Sequence, residues 1–153
     1  MSFDQIRNVR TERNSFQLAP RGIDTDEALD IAVLTAWEKV KTDDGSNLVV
    51  DLIELYLQST PPRILAIRNA VAEQEWVALK HAAHTLKGSS STLGLRQVAN
   101  VCQGLEEASS LSFRDGAEQL VQLLESKYFK AQQALEAERD RRLHGITRTL
   151  RNV

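Results

Sequence analysis

From residue 29 onward, apolar side chains recur every three or four positions, the spacing of an α-helix with one buried face. Leu29, Val33, Trp37 and Val40 form the first stripe. It is preceded by Asp24-Thr25-Asp26-Glu27, where Glu27 stands three after Asp24 as in a capping box, and it ends near Asp43-Asp44-Gly45, a turn sequence. Ser46 is placed to cap a second helix through Leu48, Leu52, Leu55 and Tyr56 to Gln58. Pro61 and Pro62 should stop it, because residues before proline avoid helical angles. The same prolines suit the first turn of a new helix capped by Thr60 or Ser59, with Ile64, Ile67 and Val71 on its buried side.

A central helix is expected over 75–93, with Leu79, Ala83, Leu86, Ser90 and Leu93 on one side and Gly94 as a left-handed stop. Leu95, Val98, Cys102 and Leu105 mark the next helix. Ser109-Ser110-Leu111-Ser112 interrupts, and Ser112 with Asp115 suits the start of a last helix. There Ala117, Val121, Leu124, Tyr128, Ala131 and Leu135 form a seam at alternating spacings of four and three. No strand-like alternation is evident. Short links imply antiparallel neighbours, so the expected fold is all-α, an antiparallel up-and-down four-helix bundle with an additional N-terminal helix or helices. The division expected is an N-terminal arm over 1–23, the bundle over 24–137 and a charged, solvated C-terminal extension over 138–153.

Composition narrows the function classes. The chain is 42% hydrophobic and 26% charged, with few aromatics, so it is globular and helix-favouring. A net charge of −2 gives no field for nucleic acid. The single cysteine, Cys102, excludes an intrachain disulfide and fits a reducing compartment. The apolar run from Leu48 to Leu57 is broken by Asp51 and Glu54, so membrane insertion is not expected. Met1-Ser2-Phe3-Asp4 lacks the order of a secretory signal, and a cytoplasmic location is expected.

The chemistry concentrates in His81-Ala82-Ala83-His84-Thr85-Leu86-Lys87-Gly88-Ser89-Ser90-Ser91. At roughly 100° per residue, His84 points away from the apolar stripe, with Lys80, His81, Lys87, Gly88 and Ser91 around it. A neutral imidazole is nucleophilic near neutral pH, since its ordinary pKa is about 6.5, and it can attack a phosphoryl group directly. Lys87, one turn on, can offset arriving negative charge. Gly88 shares that face, where any side chain would stand between the histidine and an incoming active site. A glycine inside a helix costs about 1 kcal/mol relative to alanine and calls for a reason. Ser89 and Ser91 offer hydroxyl donors to phosphoryl oxygens or a partner's backbone.

His84-Thr85-Leu86-Lys87-Gly88-Ser89-Ser90, followed by Leu93-Gly94, resembles the signature of histidine phosphotransfer (HPt) domains, His-x-Leu-Lys-Gly followed by small residues and Leu-Gly. Cys102-Gln103-Gly104-Leu105-Glu106 is similar to the Cys-x-x-Leu-Glu often found on that family's following helix, and the likeness covers residues 24 to 137. The resemblance implies a two-component phosphorelay. His84 would be the phosphorylated nucleophile, accepting from an aspartate of a hybrid histidine kinase's receiver domain and passing the group to a response regulator's receiver domain. It also implies that Lys87 stabilises the phosphoryl group, that Nε2 is the nitrogen modified, and that the receiver brings the Mg2+ ion. The chain would hold no cofactor and would carry phosphate without kinase activity of its own. Partner binding is expected at Lys80, His81, Gly88 and Ser91, on a monomer.

Three rival readings bear on the same residues. A metal could take His81 and His84, three apart, but needs further ligands from Cys102, His144 or carboxylates, and Cys102 falls on an apolar seam; no metal site is expected. Gly88 to Gly94 is glycine-bounded like a phosphate loop, but the Lys-Ser/Thr after the last glycine is missing. A helical adaptor that docks to a receiver or kinase without transferring phosphate is the rival from another class. The retained His84 argues against it.

Overall fold

In a computed structural model, residues 27–40 and 47–151 are described, with side chains described up to 145. The arm over 1–23, the turn at 43–45 and the side chains of Arg148 and Arg151 lie outside the described residues, as do Asp24 and Ser46; the first two helices are capped instead by Asp30 and by Asn47, whose side chain accepts from Val50 N–H at 3.2 Å. The rest forms five helices: α1 (Ile31–Trp37), α2 (Leu48–Ala72), α3 (Trp76–Thr92), α4 (Arg96–Ser110) and α5 (Arg114–Arg151). No strand occurs among the described residues. Helix α3 packs on α2 and α4, and α5 packs on α4 and α2, which closes an antiparallel four-helix ring; α1 lies against α2. The expected all-α bundle with an added N-terminal helix is therefore what the chain forms.

The seams read from the sequence are the core. Leu79, Ala83, Leu86, Ser90 and Leu93 are buried on α3, as are Leu95, Val98, Cys102 and Leu105 at α4. Along α5, Ala117, Val121, Leu124, Tyr128, Ala131 and Leu135 are all buried. Inside this apolar core the hydroxyls of Tyr56 and Ser90 share a hydrogen bond of 2.8 Å, so the one polar side chain in the α3 stripe is satisfied.

Several local expectations are corrected. The break expected at Pro61 and Pro62 does not occur: α2 runs unbroken for 25 residues with both prolines inside it. Each proline forfeits one backbone hydrogen bond, a cost of about 3 kcal/mol. The buried positions Ile53, Tyr56, Thr60, Ile64, Ile67 and Val71 nevertheless keep one helical phase straight through, each apolar one returning about 1.5–3 kcal/mol. Both prolines face solvent, where water can take up the freed carbonyls. Thr60 is accordingly a fully buried helix residue rather than a cap.

Ser112 likewise does not cap the last helix; it adopts a left-handed φ of 50°. The links at 73–75, 93–95 and 111–113 share one form. In each, a residue with positive φ (Gln74, Gly94, Ser112) closes the preceding helix. The residue after it donates back to that helix, as from Leu95 N–H to the Ser90 carbonyl at 2.9 Å. The first stripe is shifted too. Asp30, accepting from Ala32 N–H, caps α1, and Leu34 is its fully buried residue while Val40 is exposed.

The charged segment after Leu135 is not wholly solvated. Glu138 is 4% exposed and pairs with Arg141 at 2.8 Å and Arg142 at 3.0 Å, and Arg142 reaches Glu38 beyond α1. At the same end of the bundle, α1 is latched to the C-terminus of α3. The Trp37 indole N–H donates to the Thr92 carbonyl at 2.8 Å and the Asp30 N–H to the Gly94 carbonyl at 2.9 Å, both otherwise orphan acceptors.

Gly94 carries this junction. Its φ is +79°, and an added Cβ would lie 2.8 Å from the Asp30 carbonyl and 3.0 Å from the Val33 Cβ. Left-handed backbone alone costs an L-residue about 1–2 kcal/mol. Gly94→Ala should therefore lower unfolding free energy by roughly 2 kcal/mol or more in urea titration. An unchanged midpoint would show that the junction does not constrain the fold.

Candidate functional site

Burial of Leu79, Ala83 and Leu86 turns His84 outward, and its side chain is 70% exposed. Lys80, His81, Gly88 and Ser91 are exposed on the same helix, and Lys87 is half-buried against α4. The outward turn of His84 read from the sequence is what the structure shows. Two residues of α4 that complete it, Glu106 and Gln103, were not among the expected site residues. They lie within the Cys102-x-x-Leu105-Glu106 pattern, which was their only signal.

The geometry is a chain of polar contacts across the α3–α4 interface. Glu106 Oε1 lies 3.2 Å from His84 Nδ1 and 2.8 Å from Lys87 Nζ. Lys87 Nζ also donates to Gln103 Oε1 at 2.9 Å, and Gln103 Nε2 donates to Glu107 Oε1 at 3.2 Å. The Glu106 side chain is only 13% exposed. Partial burial opposes its ionisation, but the hydrogen bonds and charges of Lys87 and His84 outweigh this and hold it below the usual carboxylate range. The ionised form therefore prevails at neutral pH, and acid that protonates Glu106 removes the negative charge from its contact to His84.

A carboxylate can only accept, so His84 donates from Nδ1–H. In the neutral ring the lone pair is then on Nε2, at the other end of an exposed imidazole. The arrangement can thus present one defined nitrogen nucleophile, with a carboxylate beneath it and an ammonium one turn away.

The serines divide. Ser89 donates to the Leu86 carbonyl at 3.2 Å and faces Arg63 Nη1 at 3.5 Å across the α2–α3 groove, so it turns from His84. That groove, about 270 Å³, is lined by Leu52, Leu55, Tyr56 and Arg63 of α2 and by Ser89, Thr92 and Leu93 at the C-terminal end of α3. No group of three or more His, Cys, Asp or Glu able to hold a metal ion occurs among the described residues. Cys102 is fully buried. Burial first, then the nearby Glu106 charge, push its thiol up to about 12, which Lys87 only partly offsets.

The match to the Hpt domain family runs over residues 51–141, through α2, α3, α4 and most of α5. This chain belongs to the Hpt domain family. It is 29% identical over 94 residues to pseudo histidine-containing phosphotransfer protein 6 of Arabidopsis thaliana, an alignment covering 60% of this chain and 61% of that protein. It is 27% identical over 94 residues to multistep phosphorelay regulator 1 of Schizosaccharomyces pombe, covering 61% of this chain and 32% of the relative. Over 85 residues it is 29% identical to the sensor protein TorS of Escherichia coli, covering 56% of this chain but 9% of TorS. The match thus spans about three fifths of the plant relative's length and a third or less of the other two.

Among solved structures, histidine-containing phosphotransfer protein B of Pseudomonas aeruginosa superposes with a TM-score of 0.69 at 26% identity, covering 76% of this chain and 98% of that one. A histidine-containing phosphotransfer protein of Medicago truncatula shares the fold at a TM-score of 0.62 and 20% identity, covering 95% and 92%.

Gly88 is open: an added Cβ meets nothing within 4 Å. Packing inside the chain gives no reason for glycine there, so Gly88→Ala should raise stability by up to about 1 kcal/mol in urea titration. Gly88→Glu should likewise leave the fold intact, because the position is open; a markedly lower urea midpoint would contradict that openness. Cys102 should resist a soluble thiol reagent in the folded protein and react on unfolding in denaturant. Rapid reaction without denaturant would contradict its burial.

Proposed function

We propose that this chain is a phosphocarrier of a two-component phosphorelay, with His84 as the phosphorylated residue. The observation that carries the reading is the exposed His84 imidazole whose Nδ1 is engaged by Glu106. The family match supports a histidine phosphotransfer role. One relative bears "pseudo" in its name, so likeness alone would equally suit a non-transferring adaptor. The held and exposed histidine favours transfer.

In the proposed reaction the Nε2 lone pair attacks phosphorus of an aspartyl phosphate on a hybrid kinase's receiver domain. The Nε2–P bond forms as the bond from phosphorus to the aspartyl oxygen breaks, and the aspartate leaves with that electron pair as a carboxylate. The ring keeps its Nδ1 proton and becomes cationic, and Glu106 beneath it stabilises that charge. Onward transfer to a response regulator's receiver runs the same step in reverse. Lys87 offsets phosphoryl charge, and Lys80, His81, Gly88 and Ser91 form the contact face. The receiver contributes the Mg2+ ion that phosphoryl transfer uses to neutralise developing charge. The chain acts as a monomer in the cytoplasm, without kinase activity of its own. No helix among the described residues is long and apolar enough to cross a membrane.

Incubation with a phosphorylated receiver domain, beside His84→Gln, tests this. Label on the parent chain that is acid-labile, base-stable and absent from the variant is the expected result. A folded parent that takes no label from several competent donors would sink the carrier and leave the adaptor.

A further inference from the structure

Lys87 is committed to protein partners. Its ammonium bridges two side chains of α4, Glu106 Oε1 at 2.8 Å and Gln103 Oε1 at 2.9 Å, with the side chain 27% exposed. The orientation of the Gln103 amide is dictated by charge. Its oxygen meets the Lys87 ammonium and its NH2 group meets the Glu107 carboxylate at 3.2 Å, whereas the flipped amide would set donor against donor and acceptor against acceptor. Glu106 uses one oxygen, Oε1, for both Lys87 and His84 Nδ1, so displacement of the ammonium acts directly on the atom that orients the ring.

We propose that Gln103 is a positioning residue for the His84 reaction, holding Lys87 on Glu106 so that Glu106 Oε1 stays aimed at Nδ1. The assignment rests on the phosphocarrier reading. Gln103 touches neither the imidazole nor the incoming phosphoryl group; it acts through Lys87. A flexible lysine released from Gln103 spends part of its time on solvent or on the arriving phosphate. During that time Glu106 is an unneutralised carboxylate under a polyanion, and the imidazole turns more freely. Lys87 thus has two successive uses: it steadies the nucleophile before attack, and it is near enough to meet the phosphoryl charge afterwards.

Gln103→Met removes both hydrogen bonds while keeping the length of the side chain. In 15N-histidine-labelled full chain at a pH above the ordinary imidazole pKa of about 6.5, the parent His84 should show predominantly the Nδ1–H tautomer. In Gln103→Met its two nitrogen shifts should move toward those of a free imidazole, while those of His81 stay put. Transfer from a phosphorylated receiver domain should slow on the order of threefold to tenfold, the scale of one modest hydrogen bond. In a Lys87→Met background, Gln103→Met should add nothing, because the two act through one contact. Unmoved His84 shifts in Gln103→Met, or independent additive losses in the double variant, would overturn the assignment. A parent chain that takes no label would defeat the carrier reading, while the nitrogen shifts would still decide whether Gln103 holds the histidine.

Discussion

The rotation of α3 about its own axis governs both the fold and the site. Leu79, Ala83, Leu86, Ser90 and Leu93 each lie within the bundle, and removing any one from it would expose apolar surface or strand a hydroxyl. The Tyr56–Ser90 hydrogen bond sharpens this constraint, because it is directional where apolar packing is not. A helix so keyed has one outward face, and His84 lies on it. The histidine needs no loop or strained backbone for its exposure; the opposite face of the same helix supplies it.

Interhelical packing then fixes what stands beside the histidine. Cys102 and Leu105 are buried on α4, which leaves Glu106 at the border of the seam, low in exposure yet within reach of α3. A carboxylate there would be costly if unpaired. Lys87 and His84 supply its partners, so structural need and chemical use coincide in one oxygen atom. On the other side of α3 the groove beneath Ser89 has a different character, lined mainly by apolar side chains together with Arg63.

Much of this was legible in the sequence because helical periodicity reports burial. The stripe on α3, the long seam on α5, the left-handed stop at Gly94 and the outward turn of His84 all follow from spacing. The failures were of two kinds. Local rules lost to tertiary packing at Pro61 and Pro62, where a continuous buried phase outweighed two missing backbone bonds, and at Ser112, where the link geometry recruited a serine into a left-handed position. Pairing between helices was the other. Glu106 lies 22 residues from His84 and the tie of Arg142 to Glu38 spans 104, and no single-helix pattern encodes which turn of one helix meets which turn of another. Glu138 shows the same limit: a run of charge after Leu135 reads as solvated until α1 is found beside it.

Charge balance explains why the site contains both signs. In the proposed transfer, a carboxylate beneath the imidazole favours attack, since it stabilises the cationic ring that would form when Nε2 takes the phosphoryl group. The same carboxylate repels the phosphoryl oxygens as they approach. An uncharged acceptor in place of Glu106 would lessen the repulsion but give up much of the stabilisation. Binding Lys87 to the same oxygen resolves the conflict. The ammonium cancels the far field of Glu106, which screens poorly in a half-buried setting, while the short contact to Nδ1 remains. The paired ammonium thus offsets the carboxylate, and the ring still has a negative oxygen 3.2 Å from its Nδ1. Spacing in helical turns makes this possible: Lys87 is one turn from His84 on α3, and Gln103 is about one turn from Glu106 on α4, so two straight helices in register bring the four groups together.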